Sequence, residues 1–383
     1  MAAGDFTATD VPRLKLAARS AWADAKANGD DVLYDPTVQV LNAIAQNDTT
    51  AFKNELELAD NCAGVEIGWV EPNVSVSSSS NYQVHQVVPC EITGPMASSI
   101  TQTYKLQRMV KATFMIKEAY CKNLANFESI YATQSLAADR ALIKQLGVQL
   151  LTKIHGYAGV NKVPTVATQG NEFGGANLGT IAAGTPTLTR IPRGNLVWQD
   201  FIPYLQLLKQ RNKMRAPYLL DGTMFFKALI QAQLETDPAK RTALGLANIT
   251  ADLDTFIDAG MLDKLFMLDR GAVALSFKAV NPDRAEDLPK DMIRYKENVN
   301  GLVLPRQGAV QKDVYVSRQT IAVPGQAGDC ELYRVFENRI VWDAFKNPTL
   351  TGDTGTGILE FQADNTLPTI CSPAPYACPP VVA

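Results

Sequence analysis

One run of the chain limits the possible folds more than any other. Leu124, Phe127, Tyr131, Ala138, Leu142, Leu146, Leu150 and Ile154 fall at steps of three, four or seven, which places them on one continuous helical face. No proline occurs between Pro95 and Pro164, and Gly156 stands where a C-terminal stop is expected. The spacing predicts a helix over Leu124–Ile154, about 46 Å long at ~1.5 Å per residue. That is long for a core element of a globular enzyme, even with Gly147 as a place to bend.

The flanks differ from this helix and from each other. Residues 1–61 read as an N-terminal arm: Leu14, Ala17, Ala18, Ala21, Trp22 and Ala25 make a narrow apolar stripe over Val11–Ala27, and Val38, Leu41, Ile44 and Ala45 repeat it briefly. The arm has too little apolar surface to fold alone, so it is expected to lie on something else. Over 62–100 the period changes to two. Val65, Ile67 and Trp69, then Val74 and Val76, alternate with polar residues, a Ser/Asn stretch intervenes, and Tyr82 and Val84 resume the alternation. This predicts a long projecting β-hairpin. Tyr104 and Leu106 open another extended run that leads into the long helix, and residues 156–196, rich in Gly, Thr and Pro, read as irregular.

Residues 197–300 have the pattern of an α/β module. Trp198, Phe201, Ile202, Leu205 and Leu208 mark an amphipathic helix, Tyr218–Leu220 a buried strand, and Leu265–Leu268 with Ala272–Phe277 a hairpin turning at Asp269-Arg270-Gly271. Residues 301–383 are strand-like at Val314–Val316, Leu332–Phe336, Ile340–Trp342 and Ile358–Phe361, and end in a Pro-rich tail.

Composition removes several functions. Lys plus Arg number 36 against 39 Asp plus Glu, a net charge of −3 that does not fit a chain built to grip nucleic acid. No apolar run approaches the ~20 residues of a membrane helix, and the N-terminus has no signal-peptide pattern, so a cytosolic product is expected. Six cysteines (Cys62, Cys90, Cys121, Cys330, Cys371, Cys378) form no Cys-x-x-Cys pair and the two histidines, His85 and His155, are far apart, so neither a metal site nor a cofactor is expected. Asp221-Gly222-Thr223 follows an apolar strand, but Leu219 occupies the place of a phosphatase nucleophile and a helix-capping turn explains it better. Gly170–Gly175 lacks the Lys-Ser/Thr of a phosphate-binding loop. No nucleophile, base and oxyanion donor assemble, so catalysis is not expected.

The order of elements is arm, projecting hairpin, returning strand, very long helix, glycine-rich loop, α/β module and closing strands. With Tyr104-Lys105-Leu106, Ile116-Lys117-Glu118 and Asn123-Leu124 through Gly156, it resembles the Hong Kong-type capsid fold of tailed-phage major capsid proteins, which encapsulin shells share. The resemblance implies an α+β fold. Its parts are an N-terminal arm (1–61), an extended hairpin or E-loop (62–100), a peripheral domain with its spine helix (101–196), an axial domain (197–300), and return strands with a tail (301–383). It also implies a non-enzymatic shell subunit that partners itself in pentamers and hexamers, with scaffolding, portal and decoration proteins as further partners. Localisation would be the virion, assembled in the host cytoplasm, with weak non-specific contact to packaged DNA. An encapsulin-type compartment is the alternative within the fold, and an α/β enzyme using residues 197–300 the alternative outside it.

Some shells of this family crosslink through a lysine near the E-loop tip. Here no Lys or Arg lies between Lys53 and Lys105, so a shell without covalent links between subunits is expected. The acidic hairpin, with Glu66 and Glu71, is expected to lie on a basic surface of a neighbour, with Lys105, Arg108, Lys111 and Lys117 as candidates. Trp69, Val74, Val76 and Tyr82 are expected to add apolar contact. Arg13, Lys15 and Arg19 on the arm are candidate DNA-facing charges.

Overall fold

The computed structural model describes residues 8–28, 37–57, 63–71, 98–117, 124–160, 180–182, 185–196, 198–223, 249–278, 292–322, 330–350 and 356–366. Two helices come first. In α1 (Val11–Ala27), Pro12 sits in the first turn, where its missing N–H removes no helical hydrogen bond, and the Asn28 N–H closes the end on Asp24. Val11, Leu14 and Ala18 bury against Phe127, Tyr131 and Tyr295. The ring of Trp22 lies over Gly301, whose φ of +85° and missing Cβ leave room that a side chain would close at 2.9 Å. Helix α2 (Thr37–Gln46) inserts Val40, Leu41, Ile44 and Ala45 into the main core. The support that the arm helices need therefore comes from their own chain.

Strands β1 (Phe52–Glu57), β2 (Ala63–Glu71) and β3 (Ser98–Lys105) form an antiparallel sheet in that order. Strand β2 is central, with β1 on one side and β3 on the other, the latter from Gly64 opposite Lys105 to Glu71 opposite Ser98. The rest of the expected hairpin, with Val74 and Val76 from its first run and Tyr82 and Val84 from its second, lies outside the described residues. Strand β1 has only two apolar residues, Phe52 and Leu56, and its periodicity is correspondingly weak.

After β4 (Arg108–Lys117), helix α3 (Leu124–Tyr157) runs 34 residues, three past the predicted end. Tyr157 donates its hydroxyl to the Ala344 carbonyl at 2.9 Å, so the last turn is held and Gly156 sits inside it. Phe127, Tyr131, Ala138, Leu142, Leu146, Leu150 and Ile154 are all buried, as the spacing predicts.

The remaining elements are β5 (Thr180–Ala182), β6 (Thr185–Pro192), α4 (Trp198–Arg211), β7 (Tyr218–Asp221), β8 (Ile249–Ala251), α5 (Leu253–Asp258), β9 (Lys264–Leu268), β10 (Val273–Lys278), β11 (Ile293–Leu304), β12 (Gly308–Ala322), β13 (Cys330–Lys346) and β14 (Ile358–Asp364). Six of these strands make a mixed sheet, β5-β6-β14-β9-β7-β8. One face, through Leu219, Leu265, Met267, Leu359 and Phe361, meets Tyr204, Leu205 and Leu208 of α4. The other, through Leu220, Phe266, Leu268 and Ile358, shares a core with α3. In the long antiparallel sheet, β13 is central: β4 runs along one edge, and β12 followed by β10 along the other.

Three expectations change here. Leu265–Leu268 and Ala272–Phe277 are consecutive strands but no hairpin, because β9 pairs with β14 and β7 while β10 pairs with β13. The turn between them is held open by Asp269, whose Oδ1 accepts the N–H groups of Arg215 and Ala216, and by Gly271 at φ +78°. The strands at 332–336 and 340–342 are one 17-residue strand. The 197–300 module is not closed by sequence: its sheet takes β5 and β6 from the stretch read as irregular and β14 from the far end, while β10 and β11 leave it.

Candidate assembly interface

The hairpin sheet is seated by the face that the alternation marked. Val65, Ile67 and Trp69 pack with Leu106, Ala274 and Phe345. Trp69 is 1% exposed. Its ring meets Tyr104 edge-on at 6.0 Å, and Tyr104 stacks on Phe345 at 4.3 Å. Trp69 is thus committed within its own chain, which corrects its expected contact with a neighbour. Glu66 is half-buried and accepts from Asn54 at 3.1 Å. Glu71 ends β2 opposite Ser98, and on the outer face Val70 is 59% exposed.

The basic residues offered to that hairpin are also engaged at home. Lys111 lies 2.9 Å from Glu337, Lys117 pairs with Glu331, Arg108 is 3.9 Å from Asp343, and Lys105 is not free. The β4–β13 register is the cause, since it sets acidic β13 residues diagonally across from each lysine. Burial raises the Glu337 carboxyl, but hydrogen bonds from Lys111 and Arg339 outweigh it and hold the group below its usual range. The hydrogen bond from Lys117 lowers Glu331 likewise. On the arm, Arg13 pairs with Glu128 at 3.0 Å and Lys15 lies 5.3 Å from the Tyr295 ring centroid, while Arg19 is exposed.

Apolar surface is also open on this side, beside the half-exposed Lys111. Met109 and Met115 project from the outer face of β4 at 49% and 53% exposure. Among the described residues β4 pairs only with β13, so its second edge is unpaired. The sequence carried a signal for these residues: Met109-Val110 and Phe114-Met115-Ile116 are apolar on both faces of a strand that needs only one for its core.

Buried polar joints tie the sheets to α3. Asp343 receives Lys153 of α3 together with the N–H groups of Ala344, at 2.8 Å, and Gln107, at 3.3 Å. Burial lowers Lys153 against the opposing pull of Asp343. Further along, Lys312 lies among Asp139 and Ser135 of α3 and Glu297 of β11, closed to solvent so that no substrate reaches it. Near the end of α3, Glu360 of β14 meets His155 and Lys264, each at 2.6 Å.

Burial also raises the phenols at these joints. Tyr157 is pushed up to about 12 by burial and the Asp343 charge, and Tyr131, Tyr218 and Tyr295 are raised further, burial again first. A phenol with a raised folded pKa contributes its full stability below the unfolded value of ~10 and loses it as pH rises through the folded one. Alkaline titration followed by phenolate absorbance should show these four ionising only as the chain unfolds, above pH ~10. Complete ionisation of all tyrosines in a still-folded chain would contradict this.

The chain is similar to solved structures from phages. A chain of Mycobacterium phage Adephagia is 11% identical at a TM-score of 0.38, with 80% of this chain and 86% of that chain covered. The capsid structure of cyanophage P-SCSP1u is 11% identical at a TM-score of 0.36, with 78% and 84% covered. A chain of Mycobacterium phage Bobi is 13% identical at a TM-score of 0.35, with 84% and 90% covered. No protein-family model and no curated protein matches the sequence.

Proposed function

We propose that this chain is the major capsid subunit of a tailed phage, a non-enzymatic shell protein that self-assembles into an icosahedral head around double-stranded DNA. One observation carries the reading. Arm helices, an interleaved α/β sheet and a long antiparallel sheet pack on a single 34-residue helix, a hairpin sheet is seated on the long sheet beside them, and the elements follow in the order that the capsid fold requires. The exposed apolar residues fit it as well, since a subunit that tiles a shell buries such surface against other copies. Pentamers and hexamers, virion localisation and weak DNA contact belong to the same proposal.

Expression of the chain followed by electron microscopy tests the reading. Particles, tubes or capsomers are the expected result, and monomers alone at high concentration would reject it. Double-stranded DNA inside native particles, rather than a protein cargo, would separate a phage head from an encapsulin. Because the basic side chains of β4 have partners within the chain, contact between copies should depend more on apolar surface than on charge. Met109→Glu with Met115→Glu is expected to abolish particles while changing monomer stability by no more than about 0.5 kcal/mol. Unchanged particle yield would remove β4 from the interface. Glu66→Lys with Glu71→Lys tests the hairpin separately, and unaltered assembly would show that its charge is not used.

A further inference from the structure

Lys312 is wholly buried, and the groups around its amine are arranged as the parts of a condensation. Its Nζ lies 2.5 Å from Asp139 Oδ1 and 3.5 Å from Glu297 Oε2. The other Asp139 oxygen, Oδ2, accepts two N–H donors from Asn300, the backbone amide at 3.0 Å and the side-chain amide at 2.8 Å. Glu297 is directly opposite Lys312 in the β11–β12 ladder. Its Oε2 accepts from the Tyr131 hydroxyl at 3.0 Å, and its Oε1 is buried with no hydrogen-bond partner among the described residues. Tyr131, Tyr295 and Phe336 belong to the apolar cluster beside these groups.

We propose that Lys312 and Asp139 join in a spontaneous isopeptide bond within the chain, with Glu297 carrying the proton. The amine is the nucleophile, the Asp139 carboxyl carbon the electrophile, and the two Asn300 donors stabilise negative charge as it develops on Oδ2. Starting from ammonium and carboxylate, Glu297 takes one proton from Nζ to free the amine lone pair. Nζ then bonds to Cγ, and the Cγ–Oδ1 bond breaks as Oδ1 collects that proton and a second one from Nζ. Oδ1 leaves as water, Oδ2 becomes the amide oxygen, Nζ keeps one hydrogen, and no outside reactant is consumed.

The site favours each step. Burial, ahead of the partly opposing Lys312 charge, raises the Glu297 carboxyl, so it can hold a proton in transit. Condensation replaces two buried charges with one neutral amide, removing their desolvation cost. The other lysines in buried joints differ, since Lys153 and Lys264 keep 15% and 14% of their side chains exposed to water. The bond would fasten the middle of α3 to β12 and link no two copies.

Intact mass of the denatured chain tests this without reference to assembly, so its outcome is independent of the capsid reading. The expected mass is that of the sequence less one water, after allowance for the initiator methionine. A protease digest should yield the Lys312 peptide joined to the Asp139 peptide. Glu297→Gln and Asp139→Ala should restore the full mass. A wild-type chain at full mass with the two peptides separate would overturn the proposal, whether or not either variant folds. Loss of water mapped to another pair would overturn it too, and loss retained in Glu297→Gln would overturn the role of Glu297.

Discussion

Lys312→Ala should be among the most destabilising single changes in this protein, costing about 3–5 kcal/mol in chemical denaturation. Lys312 is 0% exposed, and Asp139 and Glu297 beside it have side chains only 2% exposed. Removing the lysine leaves two carboxyl groups buried together without the cation between them, and Ser135 loses a donor. Measured against a chain in which the Lys312–Asp139 bond has not formed, Glu297→Gln should be far milder, about 1 kcal/mol or less. Burial already favours the neutral form of Glu297, and an amide of the same shape keeps the bond from Tyr131. The raised carboxyl also sets a sign with pH. Its contribution is full below the ordinary carboxylate range and is lost as pH rises through the folded value, so the Gln variant should lose that slope. Replacing Lys312, Asp139 and Glu297 together by apolar residues of similar volume should recover much of the loss. Lys312→Ala within about 1 kcal/mol of wild type would show that the cluster does not hold α3 to the sheet.

The helices were legible in the sequence because their signals are local. Val11–Ala27 is bounded by Pro12 and Asn28, and the face of α3 repeats for eight positions without interruption. The partners of the strands were not legible. Period-two alternation identifies β9 and β10 as strands, but the two neighbours of β9 and the β13 neighbour of β10 come from elsewhere along the chain, and the Asp269 turn between them resembles a hairpin turn in its residues alone. Ion pairing was hidden for the same reason. Lys111 and Lys117 read as a free basic stripe until the β4–β13 register brings Glu337 and Glu331 beside them, more than two hundred residues away in sequence. Trp69 shows how alternation stops short of function: it identifies the buried face of a strand, but whether the cover comes from the same chain or another depends on where Phe345 lands.

Trp342→Ala is expected to cost about 3–5 kcal/mol and to loosen one end of the long sheet more than the other. Trp342 is fully buried in the main core, in one cluster with Leu146, Leu150 and Leu275. It sits where β13 changes partner: Arg339 is the last residue paired with β12, Val341 the first paired with β10. At such an exchange the hydrogen-bonded ladder is interrupted on one side, and side-chain packing has to hold the strands in register. The Trp342 ring, stacked on Phe277 of β10 at 6.3 Å, supplies that packing, and its indole N–H has no partner among the described residues, so its contribution is mainly packing. Trp342→Phe should therefore retain much of the stability. Amide exchange under native conditions reports the location of the loss. In the Ala variant, β10 should exchange well ahead of β12, whose ladder with β13 from Asp313 to Ala322 remains intact. Equal acceleration in both strands would mean that the sheet opens as one unit and that Trp342 is not its joint.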